Sequence, residues 1–369
     1  MRTGYSIKQI KDICDKGSSN VAQKDLEGHD GKYPIYGASG FIKNVDFYHQ
    51  DKEYVGIVKD GSGIGRVAFY PPKSSLIGTL QYIIPKAEYD IRYVGYCLQS
   101  LDLASYRQGA AIPHIYFRDY GEREVFVAEN IKEQQRIVDI LDREFAKIDA
   151  LKANAEKSLQ AAKDLFQAVL KKELKPKEGW IVKRMGEICS LSQGLAINAH
   201  TKHLIVPSSS LPLLRIKDLK DGTREIFINE NDCPKSCIAY PNDLIYTRTG
   251  TLGLIFTGFY GVMHNNCFKI TLDNSQIDKH FYMYYVQEST FKENILALAK
   301  RAAQPDITHK IFKEQLVSFP PLEEQLVIAA QLKDSNDKCN TLQENYQKTL
   351  TLCDDLKQSL LRKAFNGEL

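Results

Sequence analysis

The chain has 369 residues, of which 43% are hydrophobic and 26% are charged. This balance is typical of a folded globular protein and excludes disordered, collagen-like and membrane-spanning classes. The length suits two or three domains with separate cores. The formal net charge of +3 is too small to identify a nucleic-acid binder. The N-terminal stretch lacks the apolar core of a secretory signal, so we expect a cytoplasmic protein.

Residues 1–130 form the first predicted domain, and residues 175–321 form the second. Short β-rich runs such as 54–58 and 243–247 are bounded by glycine, proline and asparagine turn signals. The stretch 93–101 has the character of a helix. We therefore predict an α+β fold for both domains.

A long helix is predicted after each domain, at 131–174 and 322–369. In the first helix, apolar residues recur at alternating spacings of three and four, which is a coiled-coil seam. Its positions are Val138, Leu141, Phe145, Ile148, Lys152, Ala155, Leu159, Ala162, Phe166 and Val169. The second helix has a weaker seam of Ile328, Leu332, Cys339, Leu342, Tyr346, Cys353, Leu356 and Leu360.

About 40 helical residues measure on the order of 60 Å, which is more than a compact domain needs. The pattern therefore favours an antiparallel pair of spacer helices. The alternative is that both are core helices of a larger domain.

The sequence is internally duplicated. Residues 133–134 and 164–172 match 324–325 and 355–363 at one constant offset without a gap, and 110–115 (AAIPHI) aligns with 302–307 (AAQPDI). The middles of the two domains align poorly. The order is variable domain, similar helix, variable domain, similar helix.

Common catalytic signatures are missing from the sequence. The glycines Gly61, Gly63 and Gly65 have neither the Rossmann spacing nor the Lys-Ser/Thr of a phosphate-binding loop, so we interpret them as a tight turn. No adenine-methyltransferase motif occurs. His114 has Asp306 as its counterpart in the duplication, which favours a hydrogen-bonded structural histidine over half of a symmetric site.

The eight cysteines are dispersed without a C-x-x-C pair or a disulfide framework. Cys233 and Cys237 are close together, but a zinc site would need two more ligands. The sequence predicts reduced thiols, no metal, no cofactor and no catalytic residues.

Three segments carry a resemblance to a known family. Residues 301–307 (RAAQPDI), 319–325 (FPPLEEQ) and 360–369 (LLRKAFNGEL) resemble motifs of the specificity subunits of type I restriction-modification systems. The first copy departs from the pattern, because 127–134 (VAENIKEQ) lacks the paired prolines and 171–174 lacks the Phe-x-Gly ending.

The resemblance implies two target-recognition domains separated by an antiparallel pair of coiled-coil helices, with pseudo-two-fold symmetry. Such a subunit is not an enzyme. It binds double-stranded DNA at two half-sites with a fixed gap, and the modification (methyltransferase) subunits, two per chain, supply the adenine chemistry. Restriction subunits complete the complex.

Base reading requires side chains that donate or accept two hydrogen bonds in the major groove. We predict that loop residues of both domains contact DNA: Lys59, Ser62, Arg66, Tyr106, Arg107, Gln108, Arg215, Arg248, Thr249, Thr251, Arg301 and Gln304.

By the same resemblance, Glu133, Gln134, Glu324 and Gln325 are candidate partner-binding residues. Their place near the helix starts leaves a second interpretation open, in which they cap the helices.

Two other hypotheses compete with this prediction. In the first, the chain is a coiled-coil scaffold or interaction protein whose two domains bind ligands other than DNA. In the second, it is an enzyme such as a nuclease or a self-contained methyltransferase, which the missing motifs disfavour.

Overall fold

The computed structural model describes residues 4–109, 112–300 and 304–369. The chain divides into two compact units. Unit 1 consists of Met1–Lys157 and Gln347–Leu369, and unit 2 consists of Ser158–Tyr346. Both units mix helices with strands, so the predicted α+β class is confirmed.

Unit 1 is built around a four-stranded antiparallel sheet of order β2-β8-β5-β6. A three-stranded sheet of order β4-β3-β7 and the antiparallel pair β1-β9 complete it. Its strands are β1 Tyr5–Gln9, β2 Cys14–Ser18, β3 Tyr33–Gly37, β4 Gly40–Val45, β5 Tyr54–Val58, β6 Val67–Tyr70, β7 Ser75–Leu76, β8 Leu80–Pro85 and β9 Glu124–Ala128. Its short helices are α1 Ile10–Ile13, α2 Ile91–Gln99 and α3 Phe117–Tyr120, with 3-10 turns at Gln23–Leu26 and Leu103–Tyr106.

Unit 2 repeats this plan with a four-stranded sheet of order β11-β19-β16-β17, a three-stranded sheet β13-β18-β15 and the pairs β10-β20 and β12-β14. Its strands are β10 Ile181–Arg184, β11 Cys189–Gln193, β12 Ile205–Val206, β13 Leu213–Leu214, β14 Phe227–Ile228, β15 Ile238–Ala239, β16 Leu244–Thr247, β17 Ile255–Phe256, β18 Gly261–Met263, β19 Cys267–Leu272 and β20 Leu316–Phe319. Its short helices are α5 Met185–Ile188, α6 Ile216–Asp221, α7 Lys279–Tyr285, α8 Ser289–Ala299 and α9 His309–Lys313, with 3-10 turns at Lys202–Leu204 and Lys235–Cys237.

The central sheets are therefore equivalent although the sequences that form them align poorly. The central strands β5 and β16 are buried at every position, as expected of short apolar runs bounded by turns, and different residues fill each core. Unit 1 buries Ile57, Tyr93 and Tyr120, whereas unit 2 buries Tyr246 and Phe312 in its main core.

Two long helices, α4 (Ile131–Glu173) and α10 (Leu322–Phe365), have 43 and 44 residues. Each begins in one unit and ends in the other. Within unit 1, the Lys152 ammonium lies 2.6 Å from Asp354, and the Lys357 ammonium lies 2.5 Å from Asp149. As the residue number rises along one helix it falls along the other, which confirms the antiparallel pairing.

The seam of α4 is confirmed, since Val138, Leu141, Phe145 and Ile148 are buried. The seam predicted for α10 is partly wrong, because Leu342 and Leu356 are exposed. Cys353 of the predicted seam is buried, and near the end of α10 it is joined by Leu361, Ala364 and Phe365, which pack into the core of unit 1. None of the helices in the described parts of the chain is long and apolar enough to cross a membrane.

Candidate nucleic-acid interface

Each unit carries a pair of adjoining loops at one end of its central sheet. In unit 1, the turn loop 59–66 joins β5 to β6, and the end loop, whose described residues are 107–109 and 112–116, precedes α3. The Gly61 amide donates to the Pro113 carbonyl at 2.9 Å, and the Ile115 amide donates to the Lys59 carbonyl at 2.9 Å. These bonds hold the two loops side by side.

Unit 2 has the same arrangement, with a turn loop 248–254 between β16 and β17 and an end loop 304–308. The Ile307 amide donates to the Arg248 carbonyl at 2.9 Å, which is the equivalent of the Ile115–Lys59 bond. The described residues of the duplicated segments, 112–115 and 304–307, thus occupy matching positions in the two units.

The glycines of the first turn loop serve a tight turn. Gly61, Gly63 and Gly65 all have φ between +81° and +87°, a region that side chains with a Cβ rarely adopt. A Cβ added at Gly65 would lie 2.6 Å from the Ala104 nitrogen. Gly65 therefore lets the turn loop approach the segment that leads into the end loop.

A side-chain bridge also joins the loops in each unit, with the carboxylate on opposite loops. In unit 1, Asp60 Oδ1 on the turn loop lies 2.7 Å from His114 Nδ1 on the end loop. In unit 2, Arg248 on the turn loop bonds Asp306 on the end loop, with Nε 2.8 Å from Oδ1. The acidic and basic partners have changed places, while the connection is the same. His114 is thus hydrogen-bonded as a structural histidine, as the sequence predicts.

Asp60 is held in its charged form. Partial burial raises the pKa of Asp60, but hydrogen bonds from His114 and Lys59 outweigh burial and place the pKa below its ordinary value. The Lys59 ammonium lies 2.9 Å from Asp60 Oδ2.

The predicted DNA-binding residues of unit 1 come together at these loops. Ser62 is exposed on the turn loop, and Arg66 reaches the Ala38 carbonyl at the tip of the β3–β4 hairpin. Arg107 is exposed, and Gln108 Nε2 donates to Asp119 at 2.7 Å. Lys59 and Tyr106 are half-buried beside them.

The candidates of unit 2 differ in their availability. Arg248 donates to Asp306 and, at 2.8 Å, to Gln193 Oε1, so its nitrogens are engaged within the unit and its contact with DNA stays a prediction. Arg215 is likewise bound by Asp218 at 2.7 Å and Glu225 at 2.7 Å.

The other candidates of unit 2 include three that are accessible. Thr249 is half-buried and Thr251 is exposed on the turn loop, and Gln304 is exposed on the end loop. Lys220 Nζ lies 3.5 Å from Thr251 Oγ1, which adds a cation that sequence reasoning missed. Arg301 lies outside the described residues.

Sequence reasoning also missed the hairpin of unit 1. Phe41 is a largely exposed ring on β4, close to the hairpin tip that Arg66 contacts. Exposed aromatic rings beside arginines are common at nucleic-acid surfaces. The turn signal of residues 37–40, flanked by aromatic residues, was the available clue.

The predicted partner-binding residues divide into two kinds. Gln134 and Gln325 are fully buried and hydrogen-bonded inside their own units, so as direct partner contacts they are a correction. Glu133 bonds Arg136 at 2.8 Å and accepts from the Tyr5 hydroxyl at 2.7 Å. Glu324 is exposed and lies 3.3 Å from Trp180 Nε1.

The described residues contain no group of three or more His, Cys, Asp or Glu side chains arranged to hold a metal ion. All eight cysteines are free and buried. Burial raises the pKa of Cys14 to about 12, which keeps this thiol protonated and unreactive.

Fold and loops together define a duplicated α+β protein in which each unit carries a distinct loop pair on an equivalent central sheet. The family model described as type I restriction modification DNA specificity domain matches the chain twice, at residues 3–161 and 177–352. The chain therefore belongs to this family.

Similar curated proteins include the type I restriction enzyme EcoKI specificity subunit of Escherichia coli (strain K12), which is 25% identical over 65% of this chain and 56% of its own length. The StySPI specificity subunit of Salmonella potsdam is 26% identical over 65% and 56%. The chain thus spans little more than half the length of these relatives.

Solved structures share the fold. One chain from structural work on the complex assembly and conformational transition of the type I R-M system has a TM-score of 0.77 at 18% identity, covering 100% of this chain and 99% of its own. The HsdS subunit from Thermoanaerobacter tengcongensis has a TM-score of 0.53 at 17% identity, with 100% and 98% covered.

Proposed function

We propose that this chain is the DNA-specificity subunit of a type I restriction-modification complex and has no catalytic activity of its own. Residues 1–130 and 175–321 act as target-recognition domains, and residues 131–174 and 322–369 act as spacer helices. It works in the cytoplasm. The observation that carries this proposal is the pair of equivalent sheets whose loops differ in sequence, because a common scaffold with unlike loops suits two unlike half-sites.

Contacts to bases come from the accessible loop residues. Ser62, Arg66 and Arg107 serve the first half-site, and Thr249, Thr251 and Gln304 serve the second, with Lys59 and Lys220 available to phosphates. The bridges Asp60–His114 and Arg248–Asp306 act as positioning pairs that keep each turn loop against its end loop.

Modification subunits dock on the long helices. Leu151 and Leu165 of α4 are exposed two heptads apart, and their counterparts in the duplication, Leu342 and Leu356 of α10, are also exposed. Exposed leucines at repeated positions are typical of a surface that a partner covers. Two equivalent leucine pairs favour two copies of the modification subunit per chain, and restriction subunits join in the full complex.

The test is to co-express the chain with the modification subunit of its host and to map methylated adenines by single-molecule sequencing. We expect a split motif of two short half-sites with a fixed unread gap. Arg107→Ala should relax only one half-motif, while Arg143→Ala, which changes an exposed arginine of α4, should leave both intact. An active complex that methylates adenines in a continuous motif, or that methylates adenines without any sequence motif, would contradict the proposal.

A further inference from the structure

Two glutamines, Gln134 and Gln325, occupy the same position in the two units. Each is the fourth residue of a long helix, α4 or α10, and each is 0% exposed. A buried amide group lowers stability unless its donors and acceptor are all satisfied. The hydrogen bonds of these two side chains therefore show which parts of each unit they connect.

Gln134 bonds three backbone groups of unit 1. Its Oε1 accepts from the Asp90 amide at 2.8 Å, and its Nε2 donates to the carbonyls of Glu88 at 3.1 Å and Ala128 at 2.9 Å. The side chain thereby connects the first turn of α4 to the last residue of β9 and to the loop that enters α2.

Gln325 makes the same three bonds in unit 2. Its Oε1 accepts from the Asp278 amide at 2.8 Å, and its Nε2 donates to the carbonyls of Gln276 at 3.0 Å and Pro320 at 2.8 Å. The bound groups lie at equivalent places, before α7 and at the end of β20. We call each set of three bonds a glutamine clip.

The clips hold a rigid part of each domain. Asp90 caps α2, because its Oδ1 accepts from the amides of Arg92 and Tyr93 at 2.9 and 3.0 Å. Asp278 caps α7 in the same way, accepting from His280 and Phe281 at 2.9 and 2.8 Å. In each clip the glutamine Oε1 accepts a hydrogen bond from the amide of a capping residue, Asp90 or Asp278. Each clip therefore links the start of a long helix to the start of a short helix, α2 or α7.

We propose that Gln134 and Gln325 are positioning residues that fix the angle of each recognition domain on its long helix, and thereby the gap length that the protein accepts. This inference rests on the proposed function. One base pair of gap moves a half-site by about 3.4 Å and rotates it by about 35°. A domain free to tilt on its helix would absorb such a change, whereas a domain held by three bonds would not.

The experiment uses the full chain assembled with its modification subunit. Gln134→Glu and Gln325→Glu each replace one NH2 group, which donates to two backbone carbonyls, by a carboxyl oxygen, so the clip opens while the side-chain shape is kept. The double variant opens both clips. The matched controls are Gln135→Glu and Gln331→Glu, which make the same change at exposed positions of α4 and α10. Binding is measured on duplexes that carry the cognate half-sites with the gap unchanged or altered by one base pair, and on duplexes with one half-site scrambled.

We expect the wild type and both controls to lose about tenfold in affinity for a one-base-pair change, a loss comparable to that from a mismatched base pair. The clip variants should lose about threefold or less, while their ratio of cognate to scrambled half-site binding stays that of the wild type.

Clip variants with the gap preference of the wild type would overturn the positioning role alone. An equal loss of affinity on every duplex, with a lower Tm, would also overturn it, because that pattern belongs to general destabilisation. A wild type without any gap preference would overturn the proposed function as well. If the glutamate variants do not fold, Gln134→Met and Gln325→Met, which remove the bonds without adding charge, take their place in the same comparison.

Discussion

The bridge between Arg248 and Asp306 gives a quantitative test of how the loops of unit 2 are held. The side chains of Arg248 and Asp306 are 20% and 25% exposed, so the pair lies between a surface ion pair worth about 0–1 kcal/mol and a buried one whose disruption costs about 3–5 kcal/mol. We therefore expect Asp306→Ala to lower the free energy of unfolding of unit 2 by about 2 kcal/mol. If the released loop must be ordered again on DNA, the second half-site weakens by at most about thirtyfold.

Unit 1 suggests the rescue, because there the acidic partner is on the turn loop and the basic partner is on the end loop. The double variant Arg248→Asp with Asp306→Arg exchanges the charges of unit 2 to match. Urea unfolding of both single variants and the double variant forms a double-mutant cycle, and the exposed Asp221→Asn serves as the control in the same unit. The reasoning is refuted if the double variant is as unstable as the sum of the single variants, or if Asp306→Ala weakens both half-sites equally.

Three further outcomes are expected. The pKa of Asp60 is lowered in the folded protein, so its bridge stabilises unit 1 above the unfolded pKa of about 3.9, and this contribution is lost as the pH falls through the folded pKa. Acid unfolding followed by circular dichroism should therefore show a weaker pH dependence of stability for Asp60→Asn than for the wild type. An unchanged curve would contradict this expectation. In thermal unfolding, Gly65→Ala should lower the stability of the protein by about 2–4 kcal/mol, because backbone strain at φ +81° adds to an overlap of the new Cβ with the backbone. Gly61→Ala, at φ +84° with nothing within 4 Å of the new Cβ, should lower it by about 1 kcal/mol. Equal losses of stability would show that the overlap at Gly65 relaxes. Leu342→Ser and Leu356→Ser should change the stability of the isolated chain by less than about 0.5 kcal/mol but weaken its assembly with the modification subunit in gel filtration, and normal assembly would exclude this docking face.

Periodicity predicted the parts of the fold whose pattern is long and regular. The seam of α4 could be identified because Val138, Leu141, Phe145 and Ile148 repeat at coiled-coil spacing and face one core. In α10, Leu342 and Leu356 follow the same spacing but are exposed. Spacing alone does not tell whether an apolar position packs within the chain or faces outward, so the predicted seam includes two residues that are exposed.

The loop residues show the limit of reasoning from residue type. Arg248 and Arg107 are equally suited to bind DNA by chemistry, but Arg248 bonds Asp306 and Gln193 whereas Arg107 is exposed. The acidic partner is 58 residues away in the sequence, so no local pattern reveals the pair. The duplication held the clue, because it aligned His114 with Asp306.

Unit 1 is assembled from two separate stretches of chain, whereas unit 2 is one continuous stretch. During synthesis from the N-terminus, residues 1–157 leave the ribosome long before Leu361 and Phe365, which complete their core. Tyr93, whose ring lies 5.1 Å from that of Phe365, stays without this neighbour until residue 365 has been made, after the whole of unit 2. Unit 2 can therefore fold first, while the earlier part of the chain waits with an open apolar surface, a state in which chaperones commonly act.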